Sequence, residues 1–509
     1  MNLAILHYHL DRGGVTRVIE NHLRSLDATA TGPGRAAILF GGRAEGWSDD
    51  LASRFENIEL SRHVVPSLEY DADDQARPDR LAFEIGQTLR GLGFRQDETV
   101  LHIHNHSLGK NLSLPGSIGR LAADGWRLLL QIHDFAEDFR PANFQRIRTA
   151  FGNDYARSLY PQAAQIHYAL LNQRDLGNLG AAGVADERIH LLPNPVLNPG
   201  ELPDRDAARR LLAQRLDVGL DERFVLSPVR GIRRKNVGEL LLLSVLDSES
   251  VYGLTLVPRT PAELKFHDRW RANAAKWNLP VRFATGESDG TGLTFAENLA
   301  AADEVVTTSV AEGFGMAFLE PWLAGKPLRG RDLPAITGDF AAMGIRLDRL
   351  YPRIAVPVDW LDADHVANVL RTATESLLAT YGRPQMTDDE WSRILTARVE
   401  EGTIDFGDLD EEMQESILQR IIDDRSASEE LRRRNPAAIE RRTDAELIAA
   451  NARQIRQAYG LEPSGRRLRS LYNRLLAAPV GEPAESIAGE LLLDRFLDLT
   501  ALRLIRSGT

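Results

Sequence analysis

Short apolar runs alternate with segments of helical periodicity along the first 200 residues. The runs that predict strands are LAIL (3–6), AAILF (36–40), TVLHIH (99–104), WRLLLQI (126–132) and AQIHYALL (164–171). Between the first two, apolar residues from Val15 to Leu26 recur at the spacing of one face of an α-helix. Buried runs that are bounded by turn residues and separated by helix-length segments are typical of a parallel sheet with both faces covered.

A second series of apolar runs begins after LLPNPVLNPG (191–200), a connection whose prolines are more typical of a linker than of an element interior. The strands predicted there are FVLSPV (224–229), LTLVP (254–258), VRFAT (281–285), EVVTTS (304–309) and IAVPV (354–358). Two such arrays predict an α/β protein with two Rossmann-like domains facing a cleft, over residues 1–200 and 201–384. Ligands bind such sheets at the carboxyl ends of the strands, so residues that directly follow strands are the first candidates for a site.

The composition changes near residue 385. From there to residue 509 the chain is rich in Glu, Arg, Leu and Ala and has few runs that predict strands, which indicates a helical extension of about one small domain. Its basic run LRRRN (431–435) and its acidic run DLDEEMQE (408–415) are interpreted as solvated helix faces. The last helix is expected to pack back on the N-terminal domain, and the extension is a candidate surface for a homo-oligomer.

Charge and composition narrow the classes of partner. The 509 residues carry a formal net charge of −12, which argues against nucleic acids and anionic membrane surfaces as partners. The chain has no cysteine, so disulfides, thiolate nucleophiles and Cys-ligated zinc are excluded. His7 and His9 interrupt the N-terminal apolar run, which is therefore not a signal peptide. No apolar stretch reaches the ~20 residues of a membrane helix, and a cytoplasmic protein is expected.

Two glutamates flank a glycine-rich turn after the predicted strand EVVTTS. In AEGFGMAFLEPW, Glu312 and Glu320 lie eight positions apart. Gly313 and Gly315 allow the backbone to approach a ligand closely, and a helix beginning at Met316 would direct free N–H groups at an anion. Glu312 would accept hydrogen bonds from sugar hydroxyls, and Glu320 would bind a diol such as a ribose. The alternative is a plain connecting turn followed by a partly exposed glutamate.

Four cations lie within six residues after the predicted strand FVLSPV. They are Arg230, Arg233, Arg234 and Lys235, in a strongly acidic chain. A diphosphate needs concentrated positive charge, and the guanidinium fork matches its oxygens. Cations at a helix N-terminus oppose the helix dipole, so stability alone does not favour them there. The cluster is therefore predicted to bind a diphosphate, whereas the alternative is a set of solvated charges at a helix entrance.

Two groups of residues follow strands of the first domain. Gly13 and Gly14 open the helix after the first strand and form a turn that accepts an anion. They lack the third glycine of a dinucleotide fingerprint, which argues against bound NAD. His133 and Asp134 end the strand WRLLLQI, where a histidine is as often functional as structural.

A histidine-rich segment, LHIHNH, ends another strand of the first domain. His102, His104 and His106 alternate along it and would share one face. Zinc is disfavoured, because no carboxylate follows at helical spacing and neighbouring strand residues seldom complete a site. Polar residues that bind an acceptor are favoured instead.

The order of these motifs resembles that of the family-four glycosyltransferases, which are retaining enzymes of GT-B architecture that use nucleotide sugars. The resemblance covers about residues 1–380 and includes GG near the N-terminus, HD after a mid-domain strand and PN at the linker. R-x4-K after the first strand of the second domain and E-x7-E near its end are the more specific motifs. The chain departs from the family at Pro321-Trp322, where proline should interrupt the helix, and at PLRGRDLP (327–334).

The resemblance implies that residues 1–200 bind the acceptor and residues 201–384 the nucleotide sugar. The implied catalytic residues are His133, Glu312, Arg230 and Lys235. The implied donor-binding residues are Gly13, Gly14, Gly313, Phe314, Gly315, Met316 and Glu320. The implied acceptor-binding residues are His104, Asn105, His106, Asp134 and Arg17. No metal ligand is among them.

These roles describe the transfer of a hexose from a nucleoside diphosphate sugar, UDP first and GDP next, to a soluble small-molecule or sugar acceptor. Retention at the anomeric carbon is implied, and no cofactor or metal is required. A glycosidase is disfavoured, because its two carboxylates would flank one bond and the cation cluster would have no role. Two alternatives stay open on this scaffold: a sugar-nucleotide epimerase or sugar phosphorylase, and a non-catalytic interaction protein.

Overall fold

The computed structural model describes residues 1–29, 34–71, 73, 75–286, 292–482 and 486–506, and these form two compact units. Unit 1 comprises Met1–Val196 and Arg456–Asp498, and unit 2 comprises Leu197–Ile455 and, among the described residues, 499–506. Residues 385–455 of the expected extension therefore belong to unit 2, and residues 456–498 belong to unit 1. No described helix is both long and apolar enough to cross a bilayer.

The sheet of unit 1 follows the predicted apolar runs. Its described strands are all parallel and lie in the order β3-β2-β1-β4-β5-β6-β7. They are β1 (Asn2–Leu6), β2 (Arg35–Phe40), β3 (Glu59–Val64), β4 (Thr99–His104), β5 (Arg127–Ile132), β6 (Ile166–Leu170) and β7 (Ile189–Leu191). The central strands are buried over almost their whole length, which explains their continuous apolar sequence.

Unit 2 contains a second parallel sheet in the order β10-β9-β8-β11-β12-β13 among its described residues. Its strands are β8 (Arg223–Arg230), β9 (Ser250–Leu256), β10 (Val281–Phe283), β11 (Glu304–Thr307), β12 (Leu328–Arg331) and β13 (Leu350–Tyr351). The interpretation of IAVPV as a further strand of this sheet is wrong, since β14 (Ala355–Pro357) belongs to a separate antiparallel sheet. Its partners there are β15 (Val399–Glu400) and β16 (Thr403–Asp405), in the order β14-β16-β15.

Helices cover both sheets, and two helices of the C-terminal region, over residues 461–477 and 489–496, belong to unit 1. The helices are α1 (Gly14–Asp27), α2 (Pro78–Gly91), α3 (Ser113–Ala123), α4 (Pro141–Phe151), α5 (Tyr155–Leu159), α6 (Gln173–Ala181), α7 (Arg205–Leu216), α8 (Val237–Leu246), α9 (Pro261–Lys276), α10 (Phe295–Ala301), α11 (Glu320–Leu323), α12 (Pro334–Ala342), α13 (Ala363–Thr380), α14 (Asp388–Arg398), α15 (Glu411–Asp423), α16 (Arg425–Arg434), α17 (Pro436–Ile439), α18 (Ala445–Tyr459), α19 (Leu461–Ala477) and α20 (Gly489–Phe496). Apolar residues of α19, such as Leu468 and Leu475, lie in one buried cluster with Ile19 and Leu23 of α1. Helix α19 therefore completes the hydrophobic core of unit 1.

Strand β12 is buried although its sequence is LRGR. Arg329 and Arg331 are almost fully buried. The guanidinium of Arg329 lies 3.2 Å from the carboxylate of Glu304, and Arg331 pairs with Glu239 and with Asp405, the latter at 2.6 Å. Because a buried charge is tolerated only when it is paired, these carboxylates make the strand possible.

Candidate functional site

The two motif-bearing loops of unit 2 lie side by side because β8 and β11 are neighbouring parallel strands. The N–H of Val310 donates to the carbonyl of Arg234 at 2.9 Å, and the hydroxyl of Thr308 donates to the carbonyl of Lys235 at 2.7 Å. These two bonds fix the loop after β11 against the loop after β8. The R-x4-K and E-x7-E segments are thus brought together at the carboxyl ends of adjacent strands.

The carboxylate of Glu312 pairs with two cations of the neighbouring loop. Its Oε1 accepts a hydrogen bond from Nζ of Lys235, and its Oε2 lies 3.2 Å from Nη1 of Arg234. The side chain of Glu312 is only 8% exposed. Burial raises the pKa of Glu312, but the charges of Lys235 and Arg234 outweigh burial and hold the pKa below its ordinary value. Glu312 is therefore ionised at neutral pH.

The remaining two cations of the predicted cluster have different surroundings. Arg230 ends β8, and its Nη1 donates to the carbonyl of Val257 at 2.9 Å. Arg233 donates to both oxygens of Glu411, at 2.6 and 2.9 Å, and its guanidinium lies 4.2 Å from the ring centroid of Phe266. The charge of Arg233 is thus compensated by Glu411. Arg230, Arg234 and Lys235 are the cations left as candidate ligands of an anion.

Helix α15 contacts the loop of residues 230–235, which carries the four cations and is called the cation loop. The sequence did not predict this contact. Besides the bond from Glu411 to Arg233, Nε2 of Gln414 donates to Oδ1 of Asn236 at 3.0 Å. Asn236 has a φ of 49°, in the left-handed region, and its Nδ2 donates to Glu239. The interpretation of the acidic run 408–415 as a solvated face is wrong for Glu411, which is 5% exposed.

The turn after β11 favours glycine at Gly315, and the helix that follows it is shorter than expected. Gly315 has a φ of 84°, and a Cβ there would lie 2.8 Å from the ring of Phe318, so any other residue would strain the backbone and force this ring to shift. The expected helix from Met316 onward is wrong: residues Met316–Phe318 form a 3-10 turn, and α11 begins at Glu320 and has one turn. Pro321 lies in the first turn of α11, where its missing N–H is tolerated, and it prevents a continuous helix.

The side chains around this turn face different surroundings. Phe314 is buried and packs edge-on against the ring of Phe340, with centroids 5.6 Å apart. Met316 and Glu320 are half-buried, and so is Gly313. The turn therefore presents backbone and polar groups, while Phe314 anchors it to the core.

In unit 1, packing does not require a glycine at Gly13 or at Gly14. A Cβ on Gly14 would meet no atom within 4 Å, and one on Gly13 would meet only the carbonyl of Asp11 at 3.8 Å. Gly13 is extended, with a φ of −173°, so backbone strain does not require glycine either. Arg17 is half-buried one turn into α1, and its N–H donates to the carbonyl of Gly13. The two glycines leave open space at the start of a 14-residue helix.

The residues after β4 and β5 form one hydrogen-bonded group. Asn105, with a φ of 60°, accepts the N–H groups of His133 and Asp134 on its Oδ1, at 3.2 and 3.0 Å. Nδ1 of His104 and Nε2 of His133 share a hydrogen bond of 2.9 Å. Burial lowers the pKa of His133 to about 4, so its ring is neutral at physiological pH. Asp134 is paired with Arg140, a contact that the sequence motif did not suggest.

The histidines deeper in unit 1 have structural contacts. His106 is fully buried, and its Nε2 donates to the carbonyl of Leu159 at 2.7 Å. His102 bonds Tyr472 of α19 at 2.8 Å and Gln131 at 3.0 Å. His104 is also fully buried, and its hydrogen bond to His133 connects it to the candidate site.

Among the described residues, one group has the composition of a metal site. Ring nitrogens of His22, His102 and His104 come within 4.8 Å of one another. The rings of His102 and His104 are stacked, with centroids 4.3 Å apart and planes inclined by 24°. A shared metal must lie near both ring planes at about 2.0–2.1 Å from each nitrogen, which stacked rings do not allow. The geometry therefore favours a stacked, neutral histidine column over a metal centre.

Comparison with curated proteins finds a relative that matches about two thirds of the chain. No family model matches the chain. The chain is 28% identical over 346 residues to mannosylglucosyl-3-phosphoglycerate synthase of Petrotoga mobilis. This match covers 66% of the chain and 66% of the relative, so it spans slightly less than two thirds of the relative's own length.

Solved structures share the fold along most of the chain. Sucrose-phosphate synthase from Thermosynechococcus elongatus matches with a TM-score of 0.55 at 14% identity, over 94% of this chain and 99% of that one. Anabaena HepE in complex with UDP and glucose matches with a TM-score of 0.51 at 12% identity, over 93% and 99% of the two chains. Together with the order of the motifs, these likenesses show that the chain has the GT-B fold and resembles the family-four glycosyltransferases.

Proposed function

We propose that the chain is a retaining glycosyltransferase that moves a hexose from a nucleoside diphosphate sugar to a small water-soluble acceptor. UDP is the first choice of nucleotide and GDP the second. The observation that carries the proposal is the ion-pair group of Glu312 with Lys235 and Arg234, which unites two motifs at the ends of adjacent strands. Retention is carried over from the resemblance to the family.

The cations of unit 2 suit the chemistry of a leaving diphosphate. An ammonium has three N–H donors and a guanidinium five, so Lys235 and Arg234 can bind phosphate oxygens while they hold Glu312. The diphosphate gains charge as the glycosidic bond breaks, and fixed cations stabilise that charge more in the transition state than in the ground state. Arg230, the last residue of β8, is the third phosphate ligand in this proposal.

The glutamates bind the donor and do not act as an acid and a nucleophile. Glu312 is held ionised by its cations, so it accepts hydrogen bonds from hydroxyls of the donor sugar and is a poor general acid. Glu320, half-buried at the start of α11, binds the ribose hydroxyls. Gly313 and Gly315 let the backbone approach the sugar.

The strand-end residues of unit 1 bind the acceptor. The neutral ring of His133 and the polar groups of Asn105 and Asp134 provide donors and acceptors without a large net charge. The name of the Petrotoga relative states that it makes a mannosylglucosyl phosphoglycerate, and the HepE structure contains UDP and glucose. The ligands of HepE support a nucleotide-sugar donor, and the relative's name supports an acceptor that carries a phosphoglycerate group.

The test is a matrix of donors against acceptors. UDP-, GDP- and ADP-hexoses are each incubated with 3-phosphoglycerate, a glucosylated phosphoglycerate, a hexose phosphate and a small oligosaccharide, and the products are read by mass spectrometry. We expect hexose transfer with one nucleotide, and an α-anomer in the product from an α-donor by NMR. Isomerised donor without acceptor would instead indicate an epimerase, and sugar phosphate formed from inorganic phosphate would indicate a phosphorylase. Failure to bind any nucleotide would overturn the proposal in favour of a non-catalytic protein.

A further inference from the structure

A cavity of about 610 Å³ lies within unit 1, between the edge strand β7 and helix α19. Its volume is in the range of small-molecule sites in proteins. Its apolar lining comes from Ile189 and Leu192 beside the strand and from Leu471 on the helix. None of the residues assigned to the proposed transfer reaction lines it.

The polar lining of the cavity is cationic. Arg466, Arg467 and Arg474 contribute to it from one side of α19, together with Ser470 and His190. Arg466 has an exposed partner, Glu462, at 3.5 Å. Among the described residues, Arg467 and Arg474 have no carboxylate within 4.0 Å. Three arginines therefore face the cavity with one weak counter-charge, in a chain whose net charge is −12.

The surroundings of Arg467 do not satisfy all of its donors or its charge, which lowers the stability of the fold. Its Nη2 donates to the carbonyl of Ala458 at 2.6 Å, while its Nη1 is buried and has no hydrogen-bond partner among the described residues. Burial lowers the pKa of Arg467, Tyr459 partly opposes this effect, and the neighbouring charge of Arg466 lowers the pKa further. A half-buried cation without a counter-ion opposes folding, so an anion bound beside it in the cavity would lower this cost.

The histidines beside the strand add uncharged hydrogen-bonding groups. Nε2 of His190 and Nδ1 of His167 share a hydrogen bond of 2.9 Å. Burial, His167 and Arg474 together lower the pKa of His190 to about 4, so the ring is neutral at physiological pH. The lining thus combines guanidinium forks, a neutral imidazole and an apolar floor.

We propose that this cavity binds a small organic phosphate, with the phosphate on Arg467 and Arg474 and the organic part against Ile189, Leu192 and Leu471. Guanidinium groups bind phosphate oxygens through two parallel N–H donors. The apolar lining favours a phosphate monoester with a hydrophobic body over inorganic phosphate. The site is separate from the proposed donor-binding loops, which belong to unit 2.

The experiment is titration calorimetry of the full chain with phenyl phosphate, inorganic phosphate and benzoate as probes. Wild type should bind one phenyl phosphate, more tightly than inorganic phosphate or benzoate. R467Q and R474Q should each raise the Kd about tenfold, which corresponds to the loss of one charge-assisted bond. The exposed Arg474 makes no fold contact that its loss would break, so R474Q tests the site even if R467Q is unstable.

R469Q is the matched control, because Arg469 lies on the same helix but donates to Thr29 outside the cavity, and its Kd should equal that of wild type. K235A should also leave phenyl phosphate binding unchanged, whereas it should impair the transfer reaction. Absence of phenyl phosphate binding at millimolar concentration, equal binding by R474Q and R469Q, or equally tight benzoate binding would overturn the proposal. Loss of binding in K235A alone would assign the probe to the donor loops and would overturn it as well.

Discussion

The two units carry similar parallel sheets but differ in how they bury polar side chains. Ten of the 12 histidines lie in residues 1–196, and burial lowers the pKa of His7, His102 and His133 to about 3–4. Unit 2 buries ion pairs instead, such as Arg331 with Asp405 and Arg233 with Glu411. Unit 1 therefore buries neutral histidines near its strand ends, whereas unit 2 buries paired charges there; the buried pair of Asp175 with Arg174 is an exception in unit 1.

This difference matches the two halves of the proposed reaction. Neutral imidazole and amide groups bind hydroxyls without a charge that would have to be desolvated, which suits an acceptor. Fixed cations suit a diphosphate, whose charge increases during transfer. Under the proposed function, the carboxyl ends of the two sheets bind different chemical groups.

Mild acid should affect unit 1 far more than unit 2. An unfolded histidine has a pKa of about 6.5, whereas that of His133 in the folded chain is about 4. As the pH falls from 6.5 towards 4, the unfolded state binds protons at these histidines that the folded state does not, so the histidines lower the free energy of unfolding. The buried carboxyls of Glu137 and Asp175, whose pKa values are raised to about 7 and about 6, oppose part of this decrease. The decrease is on the order of 3 kcal/mol for each such histidine. In unit 2, Glu312 and Asp405 have pKa values below their ordinary ones and stay ionised over this range.

Hydrogen exchange read by mass spectrometry at pH 7.5 and 5.0 measures this difference. After correction for intrinsic exchange rates, β4 and β5 should lose protection at pH 5.0, while β8 and β11 retain it. Equal loss in both units, or earlier loss in unit 2, would contradict the contrast between neutral and charged interiors.

Removing the lysine of the cation loop should have the largest effect on the transfer rate. Lys235→Ala deletes a donor that faces the developing charge, and the loss of one such donor lowers kcat by about 10²–10³. Lys276→Ala is the matched control, since Lys276 ends α9 near the ring of Trp277 and lies outside the loop. Initial rates with the donor and acceptor found in the matrix measure both variants. Equal rates for the two variants would show that Lys235 has no catalytic role.

Removing the contact between α15 and the cation loop should lower the free energy of unfolding. Glu411→Gln leaves Arg233 without its counter-charge in a site where both side chains are less than 10% exposed, and loss of one partner of a buried pair costs about 3 kcal/mol. Glu415→Gln, on the same helix, removes a more exposed contact with Arg269 and should cost at most about 1 kcal/mol. Urea unfolding compares the two variants. Similar losses would mean that α15 does not specifically stabilise the loop.

The smallest effect on the fold is expected at the first glycine of α1. Gly14→Ala adds a methyl group that meets no atom within 4 Å, and this change stabilises a compatible helical position by about 0.4–1 kcal/mol. The same methyl group occupies the space where an anionic group of the substrate is proposed to lie, so transfer should fall about tenfold or more. Melting temperature and initial rate are measured on the same sample. An unchanged rate would show that the open space at Gly14 has no role in transfer.

Sequence reasoning succeeded where burial is local and continuous. The runs LAIL, TVLHIH and WRLLLQI lie in central strands that are covered on both faces, so their apolar sequence follows directly from their surroundings. It failed at β12, because Arg329 and Arg331 are typical of exposed loops unless their partners are known. Those partners, Glu304 and Asp405, lie 25 and 74 residues away, and no local pattern reveals them.

In the candidate site, too, the sequence did not reveal contacts between residues that are far apart along the chain. R-x4-K and E-x7-E singled out two loops as candidates for the site, and β8 and β11 bring Lys235 and Glu312 of these loops into contact. The pattern could not separate Arg233 from the other cations, because its partner Glu411 is 178 residues further along the chain. It also predicted a helix from Met316 that Pro321 would interrupt, whereas the structure has a 3-10 turn over Met316–Phe318 and a single helical turn from Glu320.

The central claim is that the cation loop of unit 2 binds the diphosphate of the donor, and titration calorimetry with UDP tests it most directly. Wild type should bind UDP, Lys235→Ala should raise the Kd at least about tenfold through the loss of a charge-assisted bond, and His133→Ala should bind UDP as wild type does. An unchanged Kd for Lys235→Ala, or a loss of UDP binding in His133→Ala alone, would contradict the account.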